Sequence, residues 1–178
     1  MESKRNYLRS FFGHLHTINH HRLLVCRLCF KMGLYKQGLL HDLSKYSPAE
    51  FIPGVKYYQG YRSPIAAEIE EHGYSSAWLH HKGRNRHHWQ YWTAAVKGEL
   101  KGIEMPIKYI KEMACDRIAA CMVYQKEKYT PASALEFLNR SSERKLIPPE
   151  TLAILTDMLE IVAGNDLDEA FRLIRNKY

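Results

Sequence analysis

The residues best able to do chemistry sit together in Gln37-Gly38-Leu39-Leu40-His41-Asp42-Leu43-Ser44-Lys45. An imidazole beside a carboxylate offers nitrogen and oxygen donors, a mixed set that suits a divalent transition metal. Leu39, Leu40 and Leu43 are expected to bury this short helix and to carry His41 and Asp42 inward with them. A buried charge is costly unless it is paired or bound to a metal. Adjacent residues cannot share one helix face, but both can touch an ion lying across the helix surface. A buried histidine satisfied by the aspartate or by a backbone carbonyl is the other reading of the dipeptide. The surroundings favour the metal. Residues 1–89 hold 13 Lys+Arg against 6 Asp+Glu and residues 90–178 hold 13 against 13, so the whole net charge of +7 lies in the first half. All ten histidines, from His14 to His88, lie there too. Such a segment can both hold a metal and attract an anion.

The stretch from Gly38 to Lys45 resembles the signature of the HD superfamily of metal-dependent phosphohydrolases: an apolar run, His-Asp, two residues, then Lys. That resemblance implies an HD-like helical domain whose metal is held by an upstream His, the His-Asp pair and a distant downstream Asp. In many members, further histidines between them hold a second ion. The wording around the motif, His20 to Val25, Gln37 to Phe51 and Trp78 to Asn85, is also similar to an uncharacterised family of small bacterial proteins.

Helix geometry selects among the candidate ligands. Projected at about 100° per residue, His21 falls with Leu24, Val25, Leu28, Cys29 and Met32 on an apolar stripe, whereas His20 falls with Arg27 and Lys31. His21 is therefore the expected upstream ligand, and its spacing to Val25 matches the His-x-x-x-Val start of many HD domains. The 20 residues from His21 to His41 are fewer than many of those proteins use, so a tight turn at Gly33 is required. Residues 107–125 are apolar nearly all round, as in a buried helix, and Asp116 projects from it in need of a partner. The resemblance makes Asp116 the downstream ligand; an ion pair with Arg117 is the alternative. His80 and His81 are plausible second-metal ligands or substrate contacts, as in two-metal HD phosphodiesterases. His87 and His88 are plausible phosphate contacts or proton relays. Lys45, Lys82, Arg84 and Arg86 add positive charge for an anionic leaving group.

The elements that must position these residues are helices. Ser47-Pro48-Ala49-Glu50 reads as a capping box, with Glu50 reaching back to the N-cap amide. Ser63-Pro64, Thr130-Pro131 and Pro148-Pro149-Glu150 open further helices, and Gly33, Gly83 and Gly164 follow apolar runs where C-caps belong. Helices are expected at 4–12, 15–32, 36–45, 48–58, 64–72, 76–82, 86–100, 106–126, 131–139, 149–163 and 167–176. No alternating run of β-branched residues supports a strand. One compact all-α domain over residues 1–178 follows. No segment reaches 18 uninterrupted apolar residues, the start Met1-Glu2-Ser3-Lys4-Arg5 lacks an apolar leader, and the four cysteines do not make a disulfide scaffold. A reduced, cytoplasmic protein is expected. Cys26 and Cys29 have redox spacing but lie within an amphipathic helix and read as core; Tyr57, Tyr58 and Tyr61 with Arg62 could stack on a base or a sugar, but packing is the favoured explanation.

The expected function is hydrolysis of a phosphate ester. His21, His41, Asp42, His80 and Asp116 would hold one or two divalent ions (Mn, Fe, Co, Ni or Zn) that activate water and polarise phosphoryl oxygen. Lys45, His81 and His88 would act on the leaving group, with His81 or His88 as proton donor, and Lys82, Arg84 and Arg86 would bind an anionic, phosphorylated small molecule. Two irons in the same ligand set would instead suit an HD-fold oxygenase. A basic helical module that binds nucleic acid is the non-catalytic alternative, but no recognised binding motif supports it.

Overall fold

The computed structural model describes residues 6–178. The start of the first expected helix, at residue 4, lies outside them. From there on, the helices expected at 4–12 and 15–32 are one: α1 runs unbroken over Tyr7–Lys31, opened by the Asn6 side chain accepting from the Arg9 amide. Gly13, between the two expected spans, lies inside α1. A Cβ there would lie 2.5 Å from the Tyr58 ring, so glycine is what lets that ring close on the helix. Beyond Met32 the chain turns through Gly33 at φ +77°, a left-handed value that glycine adopts without strain, and the Leu34 amide returns to the Cys29 carbonyl at 2.8 Å. This Schellman-type stop supplies the tight turn that the short His21-to-His41 spacing requires.

The expected helix 36–45 is broken in the middle. Helix α2 covers Tyr35–Leu40, and a 3₁₀ turn covers Leu43–Tyr46. Between them His41 is extended (φ −50°, ψ 128°) and Asp42 is left-handed (φ 53°, ψ 28°). Asp is among the few residues that tolerate that conformation. A continuous helix would splay two adjacent side chains by about 100°; the break turns both inward, leaving them 2% and 1% exposed. Leu39, Leu40 and Leu43, expected to drag them in, are 60%, 52% and 47% exposed. What anchors the break is Arg22 of α1, which donates to the carbonyls of His41 (2.7 Å) and Leu39 (3.1 Å) and to Tyr46 Oη (3.0 Å). Gly38 lets α2 lie directly on α1: a Cβ there would meet Cys29 Cβ at 3.0 Å and the Cys26 carbonyl at 3.1 Å.

Helices α3 (Pro48–Lys56), α4 (Pro64–His72) and α5 (Ser76–Lys82) follow. The Ser47 side chain makes no cap bond to α3, and Glu50 turns inward instead of back to the N-cap amide, so the expected capping box is absent. No helix forms at 86–100, and the expectation of no strands is overturned there. A 3₁₀ turn at Trp89–Tyr91 leads into the antiparallel pair β1 (Thr93–Val96) and β2 (Glu99–Gly102). Lys97 and Gly98, at φ 52° and 83°, form its two-residue turn, and two positive φ values are what a tight hairpin needs. The rest is helical: α6 (Ile107–Gln125), α7 (Ser133–Arg140), α8 (Pro149–Gly164) and α9 (Leu167–Lys177).

Helix α6 is the axis of this mostly helical domain. It packs on α1, α7 and α8, and α8 packs on α9. Ile110, Met113, Ala114, Cys115, Ile118 and Ala119 bury nearly all their surface against Val25, Leu28 and Cys29 of α1 and Leu155, Met158 and Leu159 of α8. Each large apolar side chain buried this way contributes about 1.5–3 kcal/mol. The four cysteines are free, and Cys29, Cys115 and Cys121 are core. Among the described residues, no helix is long and apolar enough to cross a membrane.

Two glycines make opposite predictions. Gly38→Ala should destabilise the protein by about 1–3 kcal/mol, because its methyl group must push α2 off α1. Gly164→Ala, at the end of α8 with nothing within 4 Å, should be neutral or stabilising by up to about 1 kcal/mol. Urea unfolding of both variants checks this; equal effects would contradict the tight packing at Gly38.

Candidate metal centre

Four elements converge on Asp42. Helix α1 brings His21, the α2 break brings His41 and Asp42, α6 brings Asp116, and the turn after α5 brings His87 and His88 beside His81. His21, His41, Asp42 and Asp116 form one donor set, with ligand atoms all within 4.8 Å of one another. Asp42, His81, His87 and His88 form a second on the same criterion. Asp42 belongs to both, one oxygen to each. Its Oδ2 faces His41 Nε2 (3.4 Å) and His21 Nε2 (3.9 Å), while its Oδ1 faces His81 Nε2 (3.3 Å) and His87 Nε2 (3.4 Å). Asp116 Oδ1 lies 3.0 Å from His21 Nε2 and 3.6 Å from His41 Nε2.

Two carboxylates behind the histidines fix how the rings present their nitrogens. Glu112 Oε1 lies 3.0 Å from His41 Nδ1 and 3.2 Å from His87 Nδ1. Glu50 Oε2 lies 2.7 Å from His81 Nδ1. A carboxylate only accepts, so these contacts hold a proton on Nδ1 and turn Nε2, the nitrogen that could bind a metal once unprotonated, toward Asp42. Asn85 completes the second wall, bonding Ser44 Oγ at 2.8 Å and the His81 carbonyl at 2.9 Å. The result is a set of buried polar atoms with no hydrogen-bond partner: His41 Nε2, Asp42 Oδ1, His87 Nε2 and His88 Nε2. An unsatisfied buried polar atom costs about 1–3 kcal/mol, and all four of these belong to the two donor sets. The chemistry and placement of these groups could hold a metal ion.

The electrostatics of the metal-free cluster agree. Burial opposes the charged form of His41, but the carboxylates of Asp42, Asp116 and Glu112 outweigh it and push its pKa up to about 10. Burial alone would raise Asp42 and Asp116, yet the surrounding imidazoles, and Lys45 for Asp42, hold both well below the usual carboxylate range. Burial lowers His21 despite Asp116. Burial, reinforced by His87 and His81, lowers His88 far below the usual imidazole value. The proton on His41 thus supplies positive charge that an ion would replace. Lys45 Nζ stands 3.3 Å from Asp42 Oδ2; burial works against its charge, but Asp42 and Asp116 raise its pKa, so it is a fixed cation rather than a proton donor.

Not every residue expected at the site is there. His80 stands outside both donor sets: its Nδ1 is bound to Glu50 Oε1 at 2.7 Å and its Nε2 accepts from Arg84 Nε at 2.7 Å, which uses both ring nitrogens. His81, expected as a second-metal ligand, a substrate contact or a proton donor, stands among the donor atoms, and so does His88, expected as a phosphate contact or proton donor. A cavity of about 690 Å³ opens from His21, Asp42, His81, His88 and Asp116, and Lys45 lines it, but Lys82, Arg84 and Arg86 do not. Arg86 instead lies over the rings of Tyr91 and Tyr109 and donates to Tyr109 Oη at 3.2 Å. Sequence reasoning missed Glu112 and Glu50. Glu112 had a signal, since it lies one turn before Asp116 on the same face of the helix expected to be buried. Glu50 was masked by a plausible capping role.

Residues 10–161 match the model of a family of unknown function, DUF5662. The chain belongs to that family. The part that matches DUF5662 contains both donor sets and the two carboxylates behind them. No curated protein and no solved structure matches the chain.

Glu112→Ala should lower metal affinity about 10–100-fold while helical content by circular dichroism is retained; an affinity equal to wild type would contradict its orienting role. A pH dependence follows from His41. Its folded pKa, about 10, lies above the ordinary 6.5, so the proton stabilises the metal-free protein fully below 6.5, and that contribution is lost as pH rises through about 10. A metal must displace this proton, so affinity should climb by up to about tenfold per pH unit between those limits. Calorimetric titration at several pH values reads it, and a flat profile would contradict the assignment.

Proposed function

We propose that this chain is a metal-dependent hydrolase of anionic phosphate esters. The observation that carries the reading is the shared carboxylate of Asp42, which faces two imidazole-rich donor sets and lines a cavity that Lys45 lines too. His21, His41, Asp42 and Asp116 would hold one ion, and Asp42, His81, His87 and His88 a second. Mn, Fe, Co, Ni and Zn all suit such nitrogen and oxygen donors. When bound, the ions lower the pKa of a coordinated water and polarise a phosphoryl oxygen.

The chain's own residues do the rest. Glu112 and Glu50 keep the ring nitrogens aimed inward, which limits reorganisation during the reaction. Lys45 stays protonated beside Asp42 and offsets charge on the phosphoryl group. The cavity walls exclude water from the bound ester. His81 and His88 serve as ligands in this scheme. The resemblance of residues 38–45 to the HD signature supports the same reaction class.

The test is metal analysis of the purified protein, then a panel of phosphate monoesters and diesters assayed with and without chelator. Expected is phosphate or alcohol release that chelator abolishes and one of the five metals restores. Two redox-active irons with substrate-dependent oxygen uptake, and no hydrolysis across the panel, would overturn the proposal in favour of an oxygenase.

A further inference from the structure

The cavity holds a cation that the metal scheme does not use. Among the described residues, three Lys or Arg side chains line it: Lys45, Arg62 and Arg117. Lys45 is paired with Asp42. Arg62 is paired with Glu70, both terminal guanidinium nitrogens donating to its carboxylate at 2.6 Å. Arg117 makes no hydrogen bond and no ion pair with any described residue; Asp116 and Glu143 attract it only at longer range. It is part-buried on α6, next in sequence to Asp116, with Ala120, Cys121 and Tyr124 following it along the same cavity wall. Partial burial of a guanidinium without a partner carries a desolvation cost, and its planar fork matches the oxygens of phosphate or carboxylate. The rest of the cavity is different in character. Its walls are mainly apolar and aromatic, including Ile65, Trp78, Trp89, Met113, Val123 and Phe137, and its volume falls in the range that encloses most of a small organic ligand.

We infer that Arg117 grips the anionic group of the substrate, and that the cavity selects phosphate monoesters whose alcohol part is apolar or aromatic. As far as the anion is a substrate, this rests on the hydrolase reading above. Arg117 then does what Lys82, Arg84 and Arg86 were expected to do from sequence. Arg117 shares the cavity with Asp42 and Asp116, so it would hold the phosphoryl group near those donors while the organic part lies along the apolar walls.

The test uses two dianions that cannot be hydrolysed at a P–O ester bond, phenylphosphonate and methylphosphonate, titrated calorimetrically into the manganese-treated protein. Wild type should bind phenylphosphonate at least about tenfold more tightly than methylphosphonate, since burial of a ring adds apolar contact. Arg117→Gln should weaken both about 10–100-fold with metal content unchanged, the range expected for a lost charge-assisted contact. Arg117→Lys should fall between, because it keeps the charge and loses the fork. If Arg117→Gln does not fold, Arg117→Lys decides alone. Wild-type affinity in the variants would overturn the role of Arg117, and equal affinity for the two phosphonates would overturn the apolar selection. Hydrolysis of p-nitrophenyl phosphate is followed separately: no turnover by wild type counts against the hydrolase reading, whereas the phosphonate affinities judge Arg117 whatever that outcome.

Discussion

Asp42 places a carboxylate where water does not reach it, in a backbone conformation that few residues tolerate, and surrounds it with four imidazoles and a lysine. An ion of one charge buried alone would lose several kcal/mol of hydration, so the fold must return that charge from elsewhere. The local chain does this by stopping α2 at Leu40, turning His41 and Asp42 inward together, and tying the exposed carbonyls of the break to Arg22. The histidines of α1, α5 and the following turn then close on both carboxylate oxygens. The tight stop at Gly33 and the glycine contact at Gly38 follow from the same need, because α2 must double back closely along α1 to bring Asp42 opposite His21.

Helix α6 joins the stability of the domain to the chemistry of the site. Its apolar residues form the centre of the core, and the same helix presents Glu112 and Asp116 one turn apart and Arg117 to the cavity. A rigid, fully packed helix is a good carrier for groups that must keep their geometry. Glu112 reaches two rings from different donor sets, so one side chain registers both halves of the centre against the core. Glu50 does the same from α3 for the histidines of α5.

Much of this was legible in the sequence, for identifiable reasons. Helix phase alone separated interior His21 from exposed His20, because α1 is long and regular. The apolar character of residues 107–125 marked both the buried helix and the polar residue stranded in it. Legibility failed where a residue's role is set by partners far away in the chain. Glu50 looks like a cap to its neighbours, yet its partners are His80 and His81, and no local rule could reveal them. The leucines around His41 pointed inward only on the assumption of a continuous helix, and the left-handed Asp42 removes that assumption. The basic turn at Lys82–Arg86 was chosen for its charge density, whereas the cavity cation without an ion-pair partner among the described residues, Arg117, is a single residue on the buried helix α6. Residues 86–100 failed for a third reason: the hairpin there rests on a Lys97-Gly98 turn that carries a weak signal in sequence.

The central claim is that the carboxylate of Asp42 is shared between two metal ions. Anomalous diffraction from crystals of the manganese-loaded protein measures this directly. The account predicts two peaks about 3.5–4 Å apart, the spacing of two-metal sites, one between Asp42 Oδ2, His21, His41 and Asp116 and the other between Asp42 Oδ1, His81, His87 and His88. Crystals grown with excess manganese that show no peak at either position, with His41 still paired to Asp116, would contradict it.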